Sequence, residues 1–240
     1  MIKKSIIYSV LIIASVLSMP ALSGQDKQNS PSNTPKPRAI PIATFKHKDI
    51  GNPSLKGIIK MLTNGIDITA GGADIWGTKD EFSFAYFERT GDFDIVSRIE
   101  SLQAADVYTK AGLMAREDFT PSCRHIYFQV FSDNNPRNKN NGGYEFQYRQ
   151  TRDSLMKAIY PKTSTGRAQF PVKYPNTWIR LQRTGNDFTG YYSTDGIAWK
   201  VYTTFKMELN SKVYLGLAVT SHNTGHAAAA KFRNISEIKH

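Results

Sequence analysis

Cysteine is nearly missing from this chain: Cys123 is the only one in 240 residues. One thiol excludes an internal disulfide, a Cys-x-x-Cys redox pair and a cysteine-built zinc site, so crosslinks cannot hold the fold. Helical patterning is almost absent after residue 44. Long apolar runs are confined to residues 6–19, short of the roughly 20 residues a spanning helix needs. No internal repeat is found. What is abundant is positive charge, 31 Lys and Arg against 20 Asp and Glu, and aromatic residues: 13 Phe, 12 Tyr and 3 Trp.

The two ends of the chain differ in kind. Residues 1–24 read as an export signal: Lys3 and Lys4 begin it, the apolar run follows, and Ala21 and Ser23 take the −3 and −1 positions for cleavage after Ser23. An uncleaved anchor is the competing reading; no nearby cysteine offers a lipid attachment. The expectation is a secreted or periplasmic protein with no stable membrane insertion after signal cleavage. Residues 25–43, rich in Pro, Ser and Asn, cannot bury enough apolar surface to offset the entropy of ordering and read as a linker. Lys3, Lys4, Lys27, Lys36, Arg38 and Asp26 fall outside 44–240, leaving 26 basic and 19 acidic residues there, a net +7.

From residue 44 onward, short alternating runs rich in Ile, Val, Phe, Tyr and Thr recur between Gly, Asn and Asp. They predict strands over 55–61, 66–70, 81–87, 93–102, 108–115, 125–131, 144–151, 177–183, 188–193, 199–205, 213–220 and 228–235, with tight turns at 184–187 and 194–196. A dozen strands without crossover helices mean an all-β antiparallel sandwich or barrel. Because neighbouring side chains point to opposite sides, the faces can be separated. Ala111, Leu113 and Ala115 oppose Lys110, Gly112, Met114 and Arg116. Ile126, Phe128 and Val130 oppose His125, Tyr127, Gln129 and Phe131. Tyr144, Phe146 and Tyr148 oppose Glu145, Gln147 and Arg149, and Ile179 and Leu181 oppose Trp178, Arg180 and Gln182. If the four segments share a sheet, their second faces make a polar floor with aromatic platforms. Planar amides and guanidinia bond sugar hydroxyls in pairs, and rings stack on sugar C–H faces. The plainer reading is a solvated sheet face; against it, only Lys110 among these polar residues is a lysine, the usual solvating type.

Six segments carry a family resemblance. They are Asp49-Ile-Gly51-Asn-Pro53, Gly71-Gly-Ala-Asp74-Ile-Trp76-Gly-Thr-Lys-Asp80-Glu-Phe82, Lys110-Ala-Gly112-Leu-Met-Ala-Arg116, Phe146-Gln-Tyr148-Arg149, Gly190-Tyr-Tyr-Ser-Thr-Asp195-Gly196 with Trp199, and Gly216-Leu-Ala-Val-Thr-Ser221-His222-Asn223. In this order, over roughly 46–240, they resemble the concanavalin A-like domain of the "regulation of enolase" type, found in secreted bacterial proteins and beside glycoside hydrolases. The resemblance implies a two-sheet antiparallel jelly-roll sandwich with a concave face. It implies no assigned reaction; carbohydrate binding is the usual inference from fold and neighbours.

Enzyme readings fare less well. Glycosidases need two carboxylates flanking the bond, and the Glu-x-Asp-x-x-Glu strand of concanavalin-fold glucanases does not occur. Asp92 with Asp94, and Glu117 with Asp118, are the nearest dense acids. Tyr108-Thr-Lys110-Ala-Gly112 resembles a strand of some alginate lyases, without their accompanying Gln-Ile-His and Arg-x-Glu-Leu-Arg elements. The run 193–199 resembles a sialidase Asp-box but is a residue short, and reads as a structural hairpin. His222, Asn223 and His226 read as turn residues lacking a third metal ligand. A structural calcium is compatible with Asp49, Asp74 or Asp80; no other cofactor is expected, and Cys123 reads as an incidental thiol. Basic residues gather over 137–173, which favours acidic glycans over nucleic acid, since no nucleic-acid module is present. The expectation is therefore an exported, non-catalytic glycan-binding domain, with a polysaccharide-active enzyme or an envelope adhesion module as alternatives. The candidate ligand contacts are Trp76, Arg116, Tyr127, Gln129, Glu145, Gln147, Arg149 and Trp178.

Overall fold

The computed structural model describes residues 37–137 and 142–239. The export signal, the linker up to residue 36 and part of the basic loop lie outside the described residues. Nineteen strands follow in chain order: β1 (Pro37–Ala39), β2 (Lys46–Ile50), β3 (Ile58–Leu62), β4 (Gly65–Ala70), β5 (Ile75–Trp76), β6 (Lys79–Asp80), β7 (Phe82–Thr90), β8 (Phe93–Gln103), β9 (Lys110–Arg116) and β10 (His125–Val130). They continue as β11 (Tyr144–Arg149), β12 (Lys157–Ile159), β13 (Lys162–Thr163), β14 (Gly166–Arg167), β15 (Thr177–Thr184), β16 (Asp187–Ser193), β17 (Lys200–Lys206), β18 (Lys212–Thr220) and β19 (Ala228–Ile238). Among the described residues the one helical piece is a 3-10 turn at Ile42–Thr44.

Two antiparallel sheets face each other. The front sheet runs β12-β11-β10-β9-β18-β7-β2, and the back sheet runs β17-β16-β15-β8-β19-β4-β3 with β1 beside β19. The fold class expected from the alternation, an all-β two-sheet sandwich of jelly-roll type, is the one observed. All twelve expected strands are present within a few residues of their expected bounds. Strand β2, Lys-His-Lys-Asp-Ile, escapes the apolar pattern because it is an edge, where charged side chains protect unpaired backbone groups from association.

Residues 37–43, expected to belong to the linker, are part of the sandwich. Pro37, Arg38 and Ala39 register with Ile238, Glu237 and Ser236 of β19, and Ile40 and Ile42 pack on the core. Short peptide composition could not reveal a strand whose stability comes entirely from a partner 200 residues away.

The core lies between the sheets and is built from the apolar half of each alternation. Ala111, Leu113 and Ala115 of β9, Ile126, Phe128 and Val130 of β10, and Tyr144 and Phe146 of β11 meet Ile179, Leu181 and Phe188 from the back sheet. Phe128 is the hub of a ring cluster, 5.3 Å from Tyr202 and 6.0 Å from both Tyr144 and Phe146, spacings at which aromatic pairs attract beyond their buried area. Gly190 of β16 is the space these rings need: a Cβ there would stand 3.0 Å from Phe146 and 3.1 Å from Phe128.

Gly190→Val is expected to overpack this contact and lower unfolding free energy by about 1–3 kcal/mol. A denaturant midpoint unchanged from wild type would show that the rings have room to move.

Candidate functional site

The outward face of the front sheet is a grid set by strand register. His125 lies between Arg116 and Arg149, Tyr127 between Met114 and Gln147, and Gln129 between Gly112 and Glu145. Six expected contact residues, Arg116, Tyr127, Gln129, Glu145, Gln147 and Arg149, are thus brought together on one face. They do not form an open floor. All six are buried: the segments around Asp80, 118–123 and Ser154 close over Arg116 and Arg149, and Tyr160 bonds Glu145.

At one end of the face the cover is tight. Arg149 makes a two-point pair with Asp80, Nη1 to Oδ2 at 2.8 Å and Nη2 to Oδ1 at 2.7 Å, with both side chains fully buried. Its remaining donors go to carbonyls of Gly77, Pro121, Cys123 and Ser154. Arg116 donates to the carbonyls of Asp118 and Thr120, both at 2.7 Å, and stacks 5.0 Å from the Phe82 ring. Both guanidinium groups thus bond to the protein itself, Arg149 through all three of its nitrogens. His125 is wedged between the two arginines. Its Nδ1 meets the Cys123 carbonyl at 3.1 Å and so carries the proton, and Nε2 has no partner among the described residues. Burial is the main cause that pushes His125 down to about 4; the two arginines act in the same direction, and Asp80 opposes them. The imidazole is neutral at physiological pH.

The middle of the face is a clasp around one carboxylate. The side-chain amides of Gln129 (3.3 Å) and Gln147 both donate to Glu145 Oε1, and the Tyr160 hydroxyl also bonds Glu145. The Tyr127 hydroxyl donates to the Ala218 carbonyl at 3.0 Å. Among the described residues the side-chain carbonyls of Gln129 and Gln147 have no partner.

At the other end the cover opens. A hollow of about 220 Å³ is lined by Asp74, Trp76, Tyr108, Lys110, Gln147 and His222. Lys110, on β9, is buried and bonds Asp74. His222 turns at a left-handed backbone position, φ 54°. It bridges two acids: Nε2 is 3.5 Å from Asp74, and Nδ1 is 2.9 Å from Asp106 Oδ1, off the line of a hydrogen bond. The Tyr108 ring leans on it with centroids 5.2 Å apart. Trp76 hangs from the tip of the β5–β6 hairpin and is 40% exposed.

Trp178 is not part of this assembly. It belongs to β15 in the back sheet, opposite Arg98 and Ser193, so its outward face looks away from the grid. There it packs edge-on to Trp199 at 6.5 Å and against Gly196. The alternation of 178–182 was correctly read, but periodicity carries no information on which sheet a strand joins.

Tyr108 and His222 line the hollow, with Asp106 against His222 and Tyr160 against Glu145, and none of the four was among the expected contacts. The signal for the first two was the strand-entry position of Tyr108 before Lys110; His222 was legible only as a turn residue, and Tyr160 arrives from outside any regular strand. The carboxylates considered for catalysis are engaged elsewhere. Asp94 takes a two-point pair from Arg180, Asp92 accepts from the Gly185 amide, Glu117 pairs with Arg124, and Asp118 pairs with Arg152. A larger hollow, about 700 Å³, opens beside Asp92 and Arg183, but it lacks an exposed ring at its rim, and Arg183 and Arg89 there are bound to carbonyls and Glu237. Among the described residues no group of three or more His, Cys, Asp or Glu is placed to hold a metal. Asp49 and Asp80 serve protein donors: Ser83 and the Gly57 amide for the first, Arg149 for the second.

The sequence matches no protein-family model and no curated protein. The fold does have counterparts. A functionally unknown protein from Saccharomyces cerevisiae superposes with a TM-score of 0.62 at 10% identity, over 84% of this chain and 99% of that one. The carbohydrate binding module CBM66 from Bacillus subtilis gives 0.51 at 14% identity, over 80% and 95%. Lectin II from Ulex europaeus gives 0.51 at 9% identity, over 83% and 94%. At such identities the likeness is one of fold, and the fold is the concanavalin A-like sandwich.

Two outcomes follow from the closed end. Arg149→Ala strands Asp80 as an uncompensated buried charge and is expected to cost about 3–5 kcal/mol in denaturant unfolding. Acid should weaken the fold through His125, whose folded pKa lies below its unfolded value. Between about pH 6.5 and 4 the unfolded chain holds the extra proton, so stability falls as pH falls, by up to about 1.4 kcal/mol per unit. The difference between wild type and His125→Gln, measured from pH 7 to 4, isolates this slope; parallel curves would contradict it.

Proposed function

We propose that this chain is an exported, non-catalytic glycan-binding domain whose ligand enters the hollow beside Trp76. One observation carries the reading: an exposed indole and a tyrosine–histidine pair rim a hollow whose floor is polar, buried and held rigid by its own hydrogen bonds. That combination suits a sugar, which offers an apolar C–H face to a ring and hydroxyls to fixed amides and carboxylates. Preorganisation matters here, because Lys110, Gln147 and Glu145 are already ordered and lose little freedom on binding. Two sandwiches of similar fold, a carbohydrate binding module and a lectin, are compatible with the reading.

The ligand contacts proposed are Trp76, Tyr108, Gln147 and His222, with Lys110 and Glu145 beneath them. Arg116 and Arg149 are assigned instead to holding the cover. The preference for acidic glycans rests on the basic stretch over 137–173 rather than on this hollow. Of that stretch, Lys157, Lys162 and Lys173 are exposed but do not line the hollow, while Arg149 is paired with Asp80 and Arg152 with Asp118. Arg137 is paired with Asp133, and Arg167 is spent on the Tyr160 ring and carbonyl. Export through the N-terminal signal, and membership of the "regulation of enolase" type of domain, remain part of the proposal on the sequence features that suggested them.

A glycan array probed with the purified domain should give a defined set of ligands. Trp76→Ala and Tyr108→Ala should each raise Kd by about tenfold or more, the loss expected from truncating an aromatic anchor. Array binding unaffected by both variants would move the site elsewhere, and new reducing ends released from any bound polysaccharide would replace binding by catalysis.

A further inference from the structure

The hollow is chemically lopsided. Asp74 lines it, Asp106 adjoins its His222, and Glu145 lies behind its Gln147, against one lysine and one histidine. The donors on its floor are already engaged: Lys110 on Asp74, and the amides of Gln129 and Gln147 on Glu145. What is left over is acceptor capacity. Gln147, buried and part of the lining, keeps a side-chain carbonyl with no partner among the described residues. Asp74 and Asp106 keep part of their side chains in solvent, about 21% and 31%, and lie on either side of His222. A uronate carboxylate would meet like charge here, whereas a group rich in N–H and O–H donors would find fixed acceptors. The volume, about 220 Å³, is below the roughly 300–1,000 Å³ of sites that enclose drug-sized ligands, which suits one sugar ring.

Resting on the glycan-binding reading, we infer that the hollow selects an amino sugar with a free ammonium group, a de-N-acetylated hexosamine residue within or at the end of a glycan. The ammonium is placed toward Asp74 and Asp106, a ring hydroxyl toward the Gln147 carbonyl, and the C–H face against Trp76. An N-acetyl group would remove the charge and replace a multiple donor by a bulkier single one.

Titration calorimetry of the wild-type domain with four tetrasaccharides tests this: glucosamine, N-acetylglucosamine, glucose and galacturonate. The glucosamine tetramer is expected to bind about tenfold or more tighter than the N-acetylated one, and to weaken as salt rises from 0.05 to 0.5 M. Asp106→Asn should remove most of that preference while melting like wild type. If the N-acetylated, glucose or galacturonate tetramer binds as tightly as the glucosamine one, with Trp76→Ala abolishing it, the amino-sugar inference falls and the glycan site stands. If no tetramer binds, both fall.

Discussion

Asp80 and Arg149 form the contact on which the arrangement of the front face depends. Two full charges without solvent access persist only when geometry and hydrogen bonding replace the water they have lost. Here the carboxylate takes both of its strong bonds from one guanidinium, and that guanidinium spends its remaining hydrogens on four backbone carbonyls from three separate segments. The pair is therefore a junction: it ties the segments around Gly77, Pro121 and Ser154 to strand β11. Asp80 is also opposite Ile75 in the β5–β6 hairpin, so the same junction sets the position of Trp76, four residues away in sequence. A structural ion pair at the closed end thus aims the exposed ring at the open end.

That coupling explains why one sheet face carries two chemistries. Where the cover is dense, polarity is consumed internally, and the arginines and His125 act as a buried framework. Where the cover parts, the same alternation continues as Lys110, Gln147 and Glu145, and part of its capacity faces the hollow. The back sheet has its own outward cluster, with Arg180 paired to Asp94 and lying 4.4 Å from the Tyr191 ring, and Trp178 belongs with it. The two faces cannot serve one ligand, since the whole core separates them.

Much of the architecture was legible in residue patterns. Alternation in β9, β10 and β11 assigned every core and outward residue correctly, because a strand has a period of two whatever it pairs with. Six of eight expected contacts share the grid for that reason, and Trp76 stands at its rim. The failures have equally definite causes. Trp178 was misplaced because face and sheet are different variables. Residues 37–43 passed for linker because their order derives from β19; His222 was read only as a turn residue, and Tyr160 was missed, because loops have no period.

Sequence alone determined the local alternatives: strands rather than helices, one apolar and one polar face per strand, tight turns where glycine and asparagine permit positive φ, and no crosslink to hold them. Those follow from short-range sterics and side-chain chemistry, which each residue carries with it. Only the tertiary structure decided which polar groups are spent and which are offered. Arg149 and Gln147 lie two residues apart on the same face of the same strand, yet one is sealed against Asp80 and the other lines the hollow. The difference lies in covering segments whose positions depend on contacts far along the chain. Solvent access is a property of the packed assembly, and no single residue encodes it.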